Sequence, residues 1–328
     1  MDAAVERTGM YSQRVQKAYV DQLLYSLVNT MTTIVWRFSD GKPGHDAQSQ
    51  GLLHALQERV TVSAHTIPVR QSGGGFWSWL GGSYRYGARL PAPDLLIGAG
   101  HATHWSLLAA RRRWGGRTVV LMKPSLPLSW FDLCLVPEHD GPLHATNVLS
   151  TLGSLNSMQP SRGHDAGTGL IILGGPSRHY RWDNDEILTQ LERLVKERPS
   201  QKWLLTTSRR TPASMLPALL DRAEFQCVPY AGTDSDWLPA RLSEVGEVWV
   251  SEDSVSMIYE VLTAGAQLGL LKVQRGKENR ITCAVDALVD RGWAGVPGQW
   301  RLAAGPGQPL NEAARCADWI KDQWLVTH

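Results

Sequence analysis

Within VSEDSVSMIYEVLTAG (250–265), Ser254 and Ser256 open a helical pattern, Glu260 follows two turns in, and Gly265 closes it. The bare amides of a helix N-terminus attract phosphate. Glu260 lies roughly 9 Å along the axis from Ser254, at about 1.5 Å per residue. That span is close to the separation between a nucleotide's diphosphate and its ribose hydroxyls. One short helix could therefore grip both ends of a nucleoside-diphosphate sugar. An ordinary capped helix with a solvated glutamate would be spelled the same way.

Other polar turns follow apolar runs in the same manner. SDGKPGHDAQSQGL (39–52) puts Asp40, Lys42, His45, Asp46 and Gln48 where a helix begins, and Gly41 and Gly44 permit close backbone approach. A histidine, with an ordinary pKa of about 6.5, suits proton removal from a sugar hydroxyl. Asp40 is the alternative base, or the group that orients His45; a simple capped turn is the plain reading. LIILGGPSRHYRW (170–182) ends a strand at Gly174 and Gly175, then offers Ser177, Arg178, His179 and Arg181. LLTTSRRTP (204–212) sets Thr206, Thr207 and Ser208 before Arg209 and Arg210, with Pro212 beginning the next helix. Guanidinium groups bind phosphate bidentately, so both arginine clusters are candidate diphosphate contacts, although an arginine pair can also be a solvated face.

The remaining candidates carry weaker signals. PSLPLSWFD (124–132) and VPEHDGPLHATNVL (136–149) read as acceptor-side loops. Glu138, His139 and Asp140 imitate a metal cluster, but neighbours on an extended segment point to opposite faces, so no metal is expected. Asp234 and Asp236 have the spacing of a metal-binding pair, yet stand beside Trp237 and read as caps of the next helix. GGGFWSWLGGSYRYGARL (73–90) mixes glycines, aromatics and arginines. It reads as a lid, a surface for an amphipathic acceptor, or a plain exposed loop.

The elements that must position these turns alternate strand and helix, which predicts an α/β protein. Strands are expected at Thr33–Phe38, Thr61–Val69, Leu95–Ile97, Thr118–Met122 and Phe131–Val136, with helices at Gln48–Glu58 and 103–113. NSMQPSRGHDAGT (156–168) has no periodicity and reads as a linker. The pattern then restarts with strands Gly169–Leu173, Trp203–Thr206, Phe225–Val228, Val248–Val250 and Leu268–Val273. Helices are expected over 184–197, 212–222, 254–264 and, terminally, 310–325. Two Rossmann-like domains follow, 31–160 on the acceptor side and 161–328 on the donor side, with the terminal helix able to pack back on the first. Ligands of such sheets bind at the carboxyl ends of the strands, so the cleft between them would hold two.

Composition narrows the function. With 33 Lys and Arg against 31 Asp and Glu, the net charge of +2 is too mild to point to nucleic acid. Four scattered cysteines form no metal or disulfide spacing and read as reduced thiols of a cytoplasmic protein. No apolar run reaches the ~18–20 residues of a membrane span. Fourteen tryptophans are many for 328 residues, and several stand beside arginine or glycine, which predicts some indole surface exposed to a lipid interface or a sugar. Met31 directly precedes the first convincing strand, so translation is expected to begin there, with 1–30 an extension in which YVDQLLYSLV could form a short helix.

Taken together, SDGKPGHDAQSQGL, PDLLIGAG, FDLCLVPEHD, LGGPSRHYRW, TTSRRTP and SEDSVSMIYE resemble the mitochondrial-fission (elongated-mitochondria) family in type and order across residues 36–265. The resemblance implies a GT-B fold, two facing Rossmann-like domains with a nucleotide-sugar donor held mainly by the second. The chain is also similar to the glycosyltransferase of peptidoglycan lipid synthesis. That similarity gives Glu260 the ribose contact, puts His45 near the base, and makes ENRITCAVDALVDRGWA part of the donor region. Gln267 departs from the family's usual proline.

The expected activity is metal-independent transfer of a sugar from a nucleoside diphosphate to a glycan or lipid-linked acceptor, in cell-envelope or lipopolysaccharide-core synthesis, at the inner face of the cytoplasmic membrane. The donor is a co-substrate, and no resident cofactor is expected. The donor set is Gly174, Gly175, Ser177, Arg178, Ser208, Arg209, Arg210, Asp253, Ser254, Ser256, Met257 and Glu260. The acceptor side is Lys42, Gly44, Gln48, Glu138 and His139, with His45 or Asp40 as base. The alternatives are a non-enzymatic scaffold of the same fold that recruits a partner to a membrane, and a nucleotide-sugar epimerase.

Overall fold

The computed structural model describes residues 32–141 and 145–325, so the expectations for 1–30 lie outside the described residues. The first half supplies β1 (Thr33–Ser39), β2 (Val62–Pro68), β3 (Leu95–Ala99), β4 (Arg117–Leu121), β5 (Leu133–Pro137) and β6 (Val148–Thr151). These form one sheet in the order β2-β1-β3-β4-β5-β6, parallel throughout. The second half supplies β7 (Asp165–Ile172), β8 (Tyr180–Arg181), β9 (Lys202–Thr206), β10 (Phe225–Val228), β11 (Val245–Ser251), β12 (Gln267–Leu271) and β13 (Gln274–Arg275). Five of them make a second parallel sheet, β10-β9-β7-β11-β12, while β8 and β13 pair antiparallel beside it.

Helices cover both faces of each sheet, which is why β3 and β5 are buried along their whole length. In chain order the helices are α1 (Pro43–Gln57), α2 (Phe76–Leu80), α3 (His104–Trp114), α4 (Asn184–Glu197), α5 (Leu216–Leu220), α6 (Trp237–Glu244), α7 (Val255–Ala264), α8 (Arg280–Asp290) and α9 (Glu312–Ile320). On the first sheet, α1 and α9 cover Val35, Ile97, Val119 and Leu135, and α3 covers Trp36, Leu96 and Val120 opposite. On the second, α7 and α8 cover Val248 and Val250, and α4 and α5 cover Ile171 and Trp249.

The last helix thus packs on the first sheet. Ala313, Cys316, Ala317 and Ile320 make the stripe that a helix of 3.6 residues per turn presents to one side, and it meets Leu52 and Leu56. Arg59 fixes it by donating to both oxygens of Asp318, at 2.6 and 3.1 Å. A second close crossing occurs at Gly51, where a Cβ would sit 2.2 Å from the Asn156 carbonyl oxygen.

Several expected boundaries move. Helix α1 starts at Pro43, whose fixed φ suits the first helical turn, and so includes residues read as loop. Residues 165–168, read as linker, are the opening of β7; its first residue, Asp165, registers with Val245 of β11. The four-residue β6 was not foreseen. The helix expected over 212–222 is a 3₁₀ turn at Ala213–Met215 followed by the short α5, and the terminal helix ends at Ile320 in a π turn. Of the tryptophans, Trp36 and Trp249 are wholly buried, whereas Trp77 is 78% exposed.

Strand order reverses between β1 and β3 in the first sheet and between β7 and β11 in the second. Ligands of open α/β sheets sit at such points, beyond the carboxyl ends of the strands. The turns at 39–45, 173–178 and 251–256 all stand there.

Candidate functional site

A cleft of ≈ 430 Å³ opens between the two sheets, walled on one side by Pro43, Gly44, Ala47 and Gln48 at the start of α1. Ser154–Met158 forms its floor, and the second half contributes Thr206, Thr207, Arg209, Tyr230, Ser256, Met257 and Glu260 among others. Arg209 and the 256–260 stretch of α7 thus share one crevice.

Helix α7 follows β11 through a tight turn and ends at Gly265, whose left-handed φ of 91° a glycine adopts without strain. Ser256 is exposed on the wall. Ser254 is not: it is buried, and its hydroxyl accepts from the Arg210 Nη2 at 3.0 Å. Glu260 lines the cleft, and no described residue gives it a hydrogen bond or a counter-charge. Burial alone pushes its carboxyl up from 4.5 to about 7. An acceptor group held without partners on a cleft wall is ready for donors that a ligand brings.

The arginine pair divides. Arg210 donates to Asp253 Oδ2 at 2.6 Å and to the Gly175 carbonyl at 2.8 Å, so its charge is spent on holding three turns together. Arg209 lies exposed over the Tyr230 ring, 5.6 Å from its centre, and pairs with no described carboxylate. Arg209 is therefore the guanidinium left for an anion.

Gly174 and Gly175 also turn inward. Their amides donate to Ser251 Oγ at 2.7 Å and Asp253 Oδ2 at 3.0 Å, and a Cβ on either would strike Asp253 or the Arg210 backbone. Ser208 gives its hydroxyl to the Gly174 carbonyl at 3.0 Å. These three, with Arg210, Asp253 and Ser254, form the scaffold beneath the wall rather than the wall itself. Ser177 and Arg178 are exposed on the adjoining turn, outside the cleft lining.

Across the cleft, His45 Nδ1 lies 2.9 Å from Asp40 Oδ2. Asp40 is almost fully buried. Burial raises its carboxyl, but the Lys42 amide at 3.1 Å and the His45 ring outweigh that and hold it below its ordinary value. Asp40 is thus placed to fix the ring's tautomer, and Nε2 remains free of described partners. Gly100 makes room for the ring: with φ at +79°, a Cβ there would lie 2.3 Å from Cε1. His45 stands behind the lip formed by Gly44, not on the cleft wall. Lys42 is exposed, 3.7 Å from Asp40.

Glu138 and His139 are not part of the cleft. Arg291 of the α8 end pairs with Glu138 at 2.8 Å, Arg280 pairs with Asp140 at 2.6 Å, and the His139 ring stacks on Tyr259. Burial, with Arg280 beside it, depresses the imidazole pKa against the pull of the two carboxylates. This corner clamps the two halves together. Among the described residues no three His, Cys, Asp or Glu side chains gather as a metal site. Asp236 occupies the N-cap position of α6 without a side-chain cap bond, and Asp234 Oδ1 instead accepts the Asp236 amide at 3.1 Å. Tyr230, Thr233–Ser235, Trp237 and the 154–158 floor are cleft residues that the sequence reading did not assign to the site. Their one sequence signal is position, since Tyr230 lies just past the carboxyl end of β10.

A profile described as Mitochondrial fission ELM1 matches residues 43–324. The chain belongs to that family. No curated protein sequence matches it. Among solved structures it is similar to a protein classed as a UDP-N-acetylglucosamine 2-epimerase in Listeria monocytogenes, at 10% identity, TM-score 0.53, over 89% of this chain and 88% of that one. It is similar to the glycotransferase of kitacinnamycin at 13% identity, TM-score 0.50, over 90% and 99%. A further UDP-N-acetylglucosamine 2-epimerase structure gives 10% identity and a TM-score of 0.51 over 89% and 88%. These likenesses show the fold: two facing Rossmann-like domains of GT-B type.

Proposed function

We propose that this member of the mitochondrial fission ELM1 family is a glycosyltransferase that binds a nucleoside-diphosphate sugar in the cleft and passes the sugar to an acceptor hydroxyl. The observation that carries the reading is the unpartnered Glu260 carboxyl sharing one crevice with the unpaired Arg209 guanidinium and the start of α7. Ribose hydroxyls would donate to Glu260, and the diphosphate would lie between Arg209 and the opening amides of α7. A helix N-terminus contributes only ~0.3–1 kcal/mol at a surface, so Arg209, with Arg178 reaching from the adjoining turn, must supply most of the anion's stabilisation. We assign residues 31–160 to the acceptor side and 161–328 to the donor side.

In the transfer step the acceptor oxygen bonds to the anomeric carbon as the bond from that carbon to the diphosphate breaks. An acceptor hydroxyl that reaches past the Gly44 lip would pass its proton to His45 Nε2, while Asp40 holds Nδ1. The leaving diphosphate keeps the electron pair. The acceptor we propose is a lipid-linked or lipopolysaccharide-core glycan. Among the described residues no helix is long and apolar enough to cross a membrane.

Calorimetric titration with nucleoside diphosphates tests the donor site. Replacing Glu260 by Ala should weaken binding by about 1–3 kcal/mol, the contribution of a hydrogen bond to a charged group. Unchanged affinity would remove the assignment. The epimerase reading is favoured by two of the three structural likenesses above. Incubating protein with a nucleotide sugar and no acceptor separates the two, since only an epimerase would change the sugar.

A further inference from the structure

Seven large hydrophobic side chains are exposed among the described residues, and four of them, Phe76, Trp77, Leu80 and Tyr86, fall within eleven residues. Such clustering is not the scattered exposure usual on a protein surface. Helix α2, which carries three of the four, buries none of its five residues. It is nonetheless held in place: Phe76 meets Trp105 of α3 edge-on at 5.1 Å, and Trp79 stacks on Trp130 at 5.2 Å. An open slot of ≈ 340 Å³ lies beside that stack, bordered by Leu108 and Arg112. Trp77 meets Phe76 edge-on at 5.2 Å and is still 78% exposed.

The segments that build this face are rich in arginine. Residues 70–93 contain Arg70, Arg85 and Arg89 and no Asp or Glu, and α3 adds Arg111, Arg112 and Arg113, again with no acid. Arg111 is tied to Asp132 at 2.8 Å. Arg70, Arg85, Arg89 and Arg112 are exposed and pair with no described carboxylate. Arg112 borders the slot beside the Trp79–Trp130 stack, and exposed indoles carried on a segment with unpaired guanidinium groups suit the boundary between anionic headgroups and acyl chains.

We propose that this face, centred on Trp77, docks the protein on an anionic lipid surface. The proposal rests on the reading of a lipid-linked acceptor and gives it a geometry. Trp105 of the platform follows Gly100, which cradles the His45 ring, by five residues, at most about 18 Å of chain. Docking here would bring the headgroup plane to the side of the molecule that holds the Asp40–His45 pair.

The test is co-sedimentation of the full chain with phosphatidylcholine vesicles, with and without phosphatidylglycerol, alongside calorimetric titration of UDP. Binding should require phosphatidylglycerol and fall as salt is added. Trp77→Ser should lower the partition coefficient about tenfold or more. Arg85→Gln and Arg89→Gln should each lower it roughly fivefold. These side chains are exposed, so unchanged UDP affinity would report an intact fold. Failure of the full chain to bind anionic vesicles, or equal binding by Trp77→Ser, overturns the proposal. So does a dimer that Trp77→Ser turns into monomers, which would give the face to a second copy. Should no nucleoside diphosphate bind while vesicle binding still depends on Trp77, the glycosyltransferase reading falls and the lipid surface stands.

Discussion

Replacing Glu260 by Gln should make the protein more stable, and only at higher pH. In the folded chain burial raises this carboxyl from 4.5 to about 7, with no neighbouring cation to offset it. At ~1.36 kcal/mol per unit, that difference amounts to about 3 kcal/mol. The sign follows from proton binding. Between pH 4.5 and 7 the folded state keeps a proton that the unfolded state has lost, so stability declines as pH rises and levels off above 7. Glutamine never ionises. The variant should therefore match the native chain below pH 4.5 and exceed it by up to about 3 kcal/mol above pH 7. Urea denaturation across that range measures the gap directly. A bound nucleotide should act on the same group: ribose hydroxyls donating to the carboxylate favour its charged form, so binding near pH 6 should release up to about one proton. Calorimetry in two buffers of different ionisation enthalpy counts it. A pH-independent gap, or a glutamine variant less stable at pH 8, would refute the picture of an isolated carboxyl on a cleft wall.

Arg209 and Arg210 should part company on mutation. Arg210→Ala strands the buried Asp253 and should cost about 2–3 kcal/mol in a urea melt, below the ~3–5 kcal/mol of a fully buried pair because Arg210 is itself 39% exposed. Arg209→Ala should leave stability within about 0.5 kcal/mol while weakening nucleoside-diphosphate binding by roughly 1.5–3 kcal/mol, read by calorimetry. Gly51→Ala forces a Cβ against the Asn156 carbonyl and should destabilise by about 1–3 kcal/mol in thermal unfolding. Asp40→Asn should preserve nucleotide affinity but reduce turnover by about 10²-fold or more in a transfer assay, since the amide no longer favours the proton on His45 Nδ1.

What could be read in the sequence was whatever depended on local spelling. Leu95–Ala99 and Leu133–Pro137 are unbroken apolar runs, and strands buried on both faces must be so. Glu260 stood out because helical spacing sets its distance from Ser254, but of the two serines it is Ser256 that shares the wall, since Ser254 is buried against Arg210. The opening of β7 did not stand out, because DAGT contributes no large apolar side chain and is a strand only through its neighbours in the sheet. The two arginines are indistinguishable on the page. Asp253, from the end of a different strand, takes one and leaves the other. Glu138 and His139 looked like site residues for their chemistry, yet that same chemistry serves to join the halves. Cleft residues such as Tyr230 and Trp237 are set by how α6 and the loop before it fold over the opening, which no periodicity encodes.

The seating of α9 on the first sheet has a consequence for biosynthesis. Leu52, Leu56 and the sheet face around them leave the ribosome long before Cys316 and Ile320 arrive to cover them. Until α9 emerges, that half carries an oily face open to water, sticky toward other nascent chains. A frameshift or nonsense codon just ahead of Glu312 would therefore harm the amino-terminal half most, and its product is a natural client for chaperones.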